Sequence, residues 1–168
     1  MEYVIVAKEI ERKFIVNKEM FLRSPLRCTC GSDTIGITQG YLFNVKNHIG
    51  RIRKTSDGKV KFTYKGPTKG ISRTEVEFSV PELLGSILLR MCSKTIHKTR
   101  TTVELINVKT GRTDTWEVDE FHNLVQPLVL AEIELESECQ EYYKPDFIGE
   151  EVSHDAFYYN SNLTNMVV

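Results

Sequence analysis

The sequence predicts a mainly β (α+β) fold: an eight-stranded antiparallel β-barrel that forms a charged tunnel, with flanking helices. Apolar and polar residues alternate with a period of two along most of the chain. Turn signals divide this alternation into about eight strands, a number that can close a barrel. The polar positions of these strands are nearly all ionisable, which is unusual for a sheet face that only meets water.

The predicted strands lie where the alternation is strict, and glycine-containing turns separate several of them. In chain order they cover residues 6–16, 35–45, 49–54, 59–65, 72–80, 95–108, 113–121 and 129–136. The runs Ser-Asp-Gly-Lys at 56–59 and Lys-Thr-Gly-Arg-Thr at 109–113 predict hairpin turns, because glycine accepts a positive φ.

Helices are expected at two places between the strands. A short helix is predicted at 18–23, and a clearer one at 81–92, where Pro81 occupies the first turn with Glu82 beside it. From residue 137 onward the pattern indicates short helices and loops.

The composition is that of an ordinary globular chain. Its 168 residues are 40% hydrophobic and 27% charged, and we predict one domain over residues 1–168. The 22 basic and 23 acidic residues give a formal net charge of −1, so no overall basic excess holds nucleic acid non-specifically. No apolar run approaches the roughly 20 residues that span a bilayer, and no secretory signal is visible. We therefore expect a cytoplasmic protein with no membrane partner.

The cysteines, Cys28, Cys30, Cys92 and Cys139, are most simply free thiols in such a protein. Cys28 and Cys30 form a C-x-C pair, but no second pair follows at the spacing of a zinc finger. A structural or incidental role is therefore favoured over a zinc site.

Charged residues repeat on one face of the strands, because residues two apart in a strand point the same way. The acidic set is Glu9, Glu11, Glu132 and Glu134, and the basic set is Arg51, Arg53, Lys65, Lys98 and Arg100. If the apolar side faces outward under the helices, both sets face a tunnel, where buried charges need partners or ions. Hard divalent cations suit the carboxylates and a polyphosphate suits the basic groups. The alternative is a set of exposed faces with weak cross-strand ion pairs.

Motifs in a fixed order add to this pattern. The run Glu-Ile-Glu-Arg-Lys-Phe at 9–14 reads as E-x-E-x-K, carried by Glu9, Glu11 and Lys13. It is followed by QGYL at 39–42, RIRK at 51–54, FTYKG at 62–66, SRTEVEF at 72–78, HKTR at 97–100, WEVDEF at 116–121, LAEIELES at 130–137 and GEEVSHDAFYYNSNL at 149–163. The ordered set resembles the CYTH, or triphosphate tunnel metalloenzyme, superfamily over nearly the whole chain, and it looks closest to small bacterial-type inorganic triphosphatases.

The resemblance implies metal-dependent attack of water on the terminal phosphate of inorganic triphosphate inside the tunnel. The implied metal ligands, for two ions of Mg²⁺ or Mn²⁺, are Glu9, Glu11, Glu132 and Glu134. The implied phosphate-binding residues are Lys13, Arg51, Arg53, Lys65, Lys98 and Arg100, of which Lys13 and Lys98 join the four glutamates as catalytic residues. Accessory candidates are Tyr41, Arg73, Glu75, Glu77 and Asp119.

Glu117 and the C-terminal segment lie outside this set of predicted site residues. Glu117 lies on the same strand face as the other charged residues but near a strand end, so we expect it at a solvated rim. The C-terminal segment often carries basic residues in relatives, whereas this chain has Phe157 and Tyr159 there. This departure bears on whether that segment closes on the substrate.

Other functions stay open at this stage. The same superfamily includes enzymes that act on nucleoside, thiamine or RNA 5′-triphosphates, and adenylate cyclases, which the lack of an adenine pocket disfavours. A hypothesis of another class is a non-catalytic module that binds polyphosphate or nucleotide. The presence of the full acidic and basic sets favours catalysis. The expected partner is a small-molecule triphosphate, nucleic acid is expected only as an RNA 5′-triphosphate, and the protein is expected to be a monomer or a homodimer.

Overall fold

The computed structural model describes residues 4–28 and 33–168, with side chains for 4–27 and 33–168. The described residues form a nine-stranded antiparallel sheet. The strands are β1 Ile5–Val16, β2 Asp33–Val45, β3 His48–Thr55, β4 Val60–Lys65, β5 Ser72–Ser79, β6 Thr95–Ile106, β7 Thr113–Phe121, β8 Leu128–Glu134 and β9 Ile148–Glu151. Their order across the sheet is β5-β4-β3-β2-β6-β7-β8-β1-β9. The first half of β1 also pairs with β5, which closes the first eight strands into a barrel.

The predicted eight-stranded antiparallel barrel is thus confirmed, and β9 is an addition to it. This short strand pairs with the second half of β1 at Phe14 and Val16. Short helices and loops were predicted for its region. The strand was missed because Gly149, Glu150 and Glu151 show no apolar alternation.

Helices are few in the described residues. They are α1 Lys18–Arg23, α2 Glu82–Met91 and α3 Asn160–Leu163, with 3-10 turns at Pro25–Cys28, Ala156–Tyr158 and Thr164–Met166. The helix predicted at 18–23 is confirmed, and α2 occupies the interior of the one predicted at 81–92. Gly58 and Gly111 have φ of +85° and +70°, as the predicted hairpin turns require.

Apolar clusters cover the outside of the barrel. One surrounds Phe14 and Trp116, whose rings meet edge to face at 5.5 Å, and includes Phe21 of α1. Another lies beneath α2, where Gly85 packs against Val60. The apolar residues therefore point outward, which leaves the charged residues of the same strands on the inside.

The barrel interior is apolar at one end and charged in the remainder. Ile96, Phe121 and Leu130 form the apolar end together with Leu163 of α3, which is fully buried. Ile96 precedes Lys98 by two residues and Leu130 precedes Glu132 by two. Because residues two apart in a strand face the same side, these apolar and charged residues all point into the barrel. The C-terminal segment therefore fills one end of the barrel beyond the charged part.

None of the helices within the described ranges combines the length and the apolar character needed to cross a bilayer.

Candidate active site

The charged part of the interior surrounds a cavity of about 330 Å³, the central cavity. Its wall includes these predicted site residues: Glu9, Glu11, Lys13, Tyr41, Arg51, Arg53, Lys65, Arg73, Glu75, Glu77, Arg100, Glu132 and Glu134. They come from seven strands (β1–β6 and β8), because alternate residues of each strand face the same side. The structure therefore brings nearly the whole predicted set together.

Lys98 and Asp119 are the predicted site residues that do not line this cavity. Lys98 is 2% exposed, and its Nζ lies 2.5 Å from Asp119 Oδ2. Asp119 also accepts hydrogen bonds from Nε and Nη2 of Arg100, both at 2.7 Å. This two-point contact fixes the plane of the guanidinium at the cavity wall. Burial, reinforced by Arg100, lowers the pKa of Lys98 to about 8.

One side of the cavity, the basic wall, concentrates positive charge from Arg51, Arg53, Lys65 and Arg100. Arg51 is 8% exposed and donates from Nη2 to Thr63 Oγ1 at 3.1 Å, and its Nε has no hydrogen-bond partner among the described residues. Burial, followed by repulsion from Arg51 and Arg100, lowers the pKa of Arg53 to about 10. A bound polyanion would reduce the repulsion among these arginines and could accept a hydrogen bond from Arg51 Nε.

On the acidic wall, Glu11 of β1 and Glu134 of β8 are direct cross-strand partners. Burial raises the pKa of Glu11, and the charges of Glu132 and Glu9 raise it further. The pKa of Glu134 is raised by burial and then by Glu9 and Glu75. Like charges directly opposite each other destabilise a sheet. A hard divalent cation would neutralise this pair, and carboxylate oxygens are the ligands that such cations prefer.

The other two predicted metal ligands are held by cations of the protein. Glu9 accepts from Lys65 Nζ at 2.6 Å and from Arg73 Nε at 2.7 Å. Burial alone would raise the pKa of Glu9, but these two cations outweigh it and lower the pKa overall. Glu132 lies 2.8 Å from Lys13 Nζ and 3.1 Å from Arg100 Nη2.

Within the described part of the chain, no group of three or more His, Cys, Asp or Glu is arranged to hold a metal ion. The donor set of Glu11 and Glu134 nevertheless fits a divalent cation. Glu9 and Glu132 would reach the same cation only by exchanging their ion pairs. The C-x-C pair cannot be compared in this way, because Cys30 and the side chain of Cys28 lie outside the described residues.

Lys13 joins the acidic wall to the C-terminal segment. Its Nζ lies 3.7 Å from Glu11 Oε1 and donates to the backbone oxygen of Tyr158 at 3.4 Å. Burial acts to lower the pKa of Lys13, but Glu132 and Glu11 outweigh it and raise the pKa. The lysine is therefore a permanent positive charge at the cavity wall.

The C-terminal segment contributes wall residues that are not among the predicted site residues. Tyr159, Asn160 and Ser161 line the central cavity, and Asn160 Nδ2 lies 3.5 Å from Glu132 Oε1. The segment thus reaches the cavity with neutral polar groups, whereas Phe157 is 53% exposed. No periodic pattern marks these residues in the sequence.

Glu117 lines the cavity and pairs with Arg100, and its side chain is 42% exposed, which agrees with its expected place at a solvated rim. Its place on the same strand face as the other charged residues is what predicts that it faces inward.

A closed antiparallel barrel whose interior carries a cation-rich wall beside a crowded carboxylate wall defines a protein class with an internal polyanion site. The family model of the CYTH domain matches residues 7–162, and the chain belongs to this family. The predicted family is thus confirmed.

Similar proteins agree with this assignment. The chain is 39% identical over 160 residues to an inorganic triphosphatase of Acetivibrio thermocellus, covering 94% of each protein. It is 30% identical over 158 residues to an inorganic triphosphatase of Nitrosomonas europaea, covering 92% of this chain and 95% of the relative. Among solved structures, the crystal structure of the inorganic triphosphatase NE1496 is similar, with a TM-score of 0.61, 28% identity and 93% of both chains covered.

Proposed function

We propose that this protein is a metal-dependent inorganic triphosphatase that hydrolyses the terminal phosphoanhydride bond of tripolyphosphate in the central cavity. The observation that carries the proposal is one cavity with two walls: cations that repel one another and a carboxylate pair, Glu11 and Glu134, whose pKa values are both raised by burial and by neighbouring carboxylates. The names of two relatives that are 39% and 30% identical support the same reaction.

The basic wall would bind the phosphates. Arg51, Arg53, Lys65 and Arg100 lie around the cavity, and Lys13 extends this set to the acidic side. Arginine can bind phosphate oxygens through two parallel hydrogen bonds, while lysine acts as a point charge. Lys98 and Asp119 would act from behind the wall, by holding the Arg100 guanidinium in place.

The acidic wall would hold Mg²⁺ or Mn²⁺, and we propose two ions with Glu9, Glu11, Glu132 and Glu134 as ligands. A bound divalent cation supplies charge neutralisation on the phosphates and a lower pKa for an attacking water. Glu75 and Glu77 line the cavity nearby and are accessory candidates.

The reaction itself needs little covalent chemistry from the protein. A water oxygen forms a bond to the terminal phosphorus, the anhydride P–O bond breaks, and pyrophosphate leaves. The water's proton passes to a carboxylate that lines the cavity. The arginines hold the charge that develops on the departing pyrophosphate oxygens.

The remaining sequence predictions are part of the proposal. We propose a single CYTH domain over residues 1–168, a cytoplasmic location, a small-molecule triphosphate as substrate and a monomeric or homodimeric state.

The direct test is phosphate release from tripolyphosphate, ATP and pyrophosphate, each with Mg²⁺ or Mn²⁺. We expect tripolyphosphate to be cleaved fastest, and a chelator to abolish the reaction. The double variant Glu9→Gln/Glu11→Gln should lose about a hundredfold or more of the rate, while Glu104→Gln, an exposed residue of β6, should not change it. Faster cleavage of ATP would contradict the substrate, and tight binding without cleavage would favour a binding module.

A further inference from the structure

Gln39 of β2 is a fully buried polar residue to which the proposed reaction gives no role. It is 0% exposed and faces the barrel interior, since it is the cross-strand partner of Arg53 in β3. A buried amide costs free energy unless its donors and acceptors are paired. Gln39 Nε2 donates to Tyr41 Oη at 2.9 Å, and Gln39 Oε1 has no hydrogen-bond partner in the described part of the chain. Tyr41 is therefore the one described residue to which the Gln39 side chain forms a hydrogen bond.

That neighbour, Tyr41, lines the central cavity and is the cross-strand partner of Arg51. A phenol has one proton to donate and can also accept hydrogen bonds. Because the Tyr41 oxygen accepts from Gln39, and its hydroxyl donates to no other described residue, the proton remains available to the cavity. Burial raises the pKa of Tyr41 to about 12 against the opposing effect of Arg51 and Lys13, so the phenol keeps this proton at neutral pH.

We propose that Gln39 is a positioning residue, which holds the Tyr41 side chain at the cavity wall and directs its O–H toward a substrate phosphate oxygen. The inference rests on the proposed function, because the accepting oxygen belongs to the triphosphate. Gln39 does not contact the substrate and acts only through Tyr41. A group at position 39 that can only accept would reverse the hydrogen bond and withdraw the phenol proton from the substrate.

A double-mutant cycle tests this arrangement. The kcat and KM for tripolyphosphate are measured for the wild type, Gln39→Met, Tyr41→Phe and the double variant. Loss of a hydrogen bond to a charged group predicts that Tyr41→Phe lowers kcat/KM about tenfold or more. Gln39→Met should cause a similar loss, and the double variant should be no worse than Tyr41→Phe. If the two single losses multiply in the double variant, Gln39 does not act through Tyr41 and the proposal is overturned.

A second substitution covers the case in which Gln39→Met does not fold. Gln39→Glu keeps the shape of the side chain but cannot donate to the phenol. Its added charge should weaken phosphate binding both in the otherwise wild-type protein and in the Tyr41→Phe variant, so the informative quantity is the difference between these two backgrounds. We expect Gln39→Glu to cause a loss about tenfold larger when Tyr41 is present than in the Tyr41→Phe variant. An equal loss in both backgrounds would overturn the proposal.

The matched control is Thr38→Val, which removes a side-chain hydrogen bond of β2 on the outer face, between Thr38 Oγ1 and His97 Nδ1 at 3.1 Å. We expect unchanged kcat and KM in this variant. A loss as large as that of Gln39→Met would mean that any weakening of β2 reduces activity, which would overturn the proposal.

The same cycle measured by calorimetric binding of tripolyphosphate separates this inference from the proposed function. If the wild type binds but does not hydrolyse, the proposed function fails. Coupling between Gln39 and Tyr41 in the dissociation constant would still support the positioning role. Independent effects on binding would overturn it.

Discussion

Lys98 is more deeply buried than the other cations of the barrel interior. The loss of its proton should limit activity at alkaline pH. Its pKa is lowered to about 8 by burial and by Arg100. Above that pH the site loses one positive charge, so we predict that kcat/KM for tripolyphosphate falls with an apparent pKa near 8. Lys98→Arg stays charged and should move the decline to higher pH. The same decline in both proteins would trace it to another group or to the substrate.

The lowered pKa of Lys98 also makes the stability of the folded protein depend on pH. Between about pH 8 and the ordinary lysine value of 10.5, the unfolded chain holds a proton that the folded chain has lost. The cost of burying charged Lys98 is therefore present below pH 8 and is relieved as the pH rises through this window. Urea unfolding of the wild type and Lys98→Met across pH 7 to 10 should show that the wild type gains stability relative to the variant. No relative gain would contradict the lowered pKa.

Glu11 is where the demands of the site oppose those of folding. The raised pKa of Glu11 means that its charge is disfavoured in the folded protein without metal. We predict that Glu11→Gln melts at the same temperature as the wild type or higher when a chelator is present. Added Mg²⁺ or Mn²⁺ should raise the melting temperature of the wild type and much less that of Glu11→Gln. Glu104→Gln should respond to metal like the wild type, and an equal metal response in Glu11→Gln would remove Glu11 from the ligands.

At the level of elements, α2 depends on close contact between a helix and a strand. A Cβ at Gly85 would lie 2.3 Å from Val60 Cγ1, although alanine is the better helix former. We predict that Gly85→Ala lowers the free energy of unfolding by about 1–3 kcal/mol, because overpacking outweighs propensity. The combination Gly85→Ala/Val60→Ala should be less destabilised than the sum of its single variants, since it removes the clash. Urea unfolding measures each value, and a stabilising Gly85→Ala would contradict the contact.

Strand parity explains how much of the site could be predicted from the sequence. Glu11, Arg51 and Glu132 were placed on the inner face because residues two apart share a side, and this rule needs no knowledge of the fold. Parity gives the side of a strand but not the depth along the barrel. Lys98 therefore has the predicted direction, yet it lies behind the cavity wall, near the apolar end.

The partners of the wall residues could not be predicted, because they depend on strand order. Lys13 meets Glu132 only because β8 lies beside β1, a pairing between elements more than a hundred residues apart in the chain. The order in which distant strands close a barrel is not contained in local alternation. Asn160 was missed for a related reason, since it lies in a short helix that shows no period.

For the molecule as a whole, the C-terminal segment completes the barrel from inside. Leu163 is fully buried between the ends of several strands. We predict that Leu163→Ala lowers the free energy of unfolding by about 2–5 kcal/mol through lost packing and a residual cavity. Val168→Ala, at a side chain that is 84% exposed, should change it little. Chemical denaturation compares the two, and a negligible effect of Leu163→Ala would mean that the segment contributes little to the fold.

The charged barrel interior is proposed to hydrolyse tripolyphosphate at its terminal phosphate. The most direct measurement is ³¹P NMR of tripolyphosphate incubated with the protein and Mg²⁺ or Mn²⁺, beside Glu11→Gln and Glu104→Gln. We predict that the wild type and Glu104→Gln convert tripolyphosphate to equal amounts of pyrophosphate and phosphate, while Glu11→Gln leaves it intact over the same period. Undiminished tripolyphosphate with the wild type, or equal turnover by Glu11→Gln, would contradict the account.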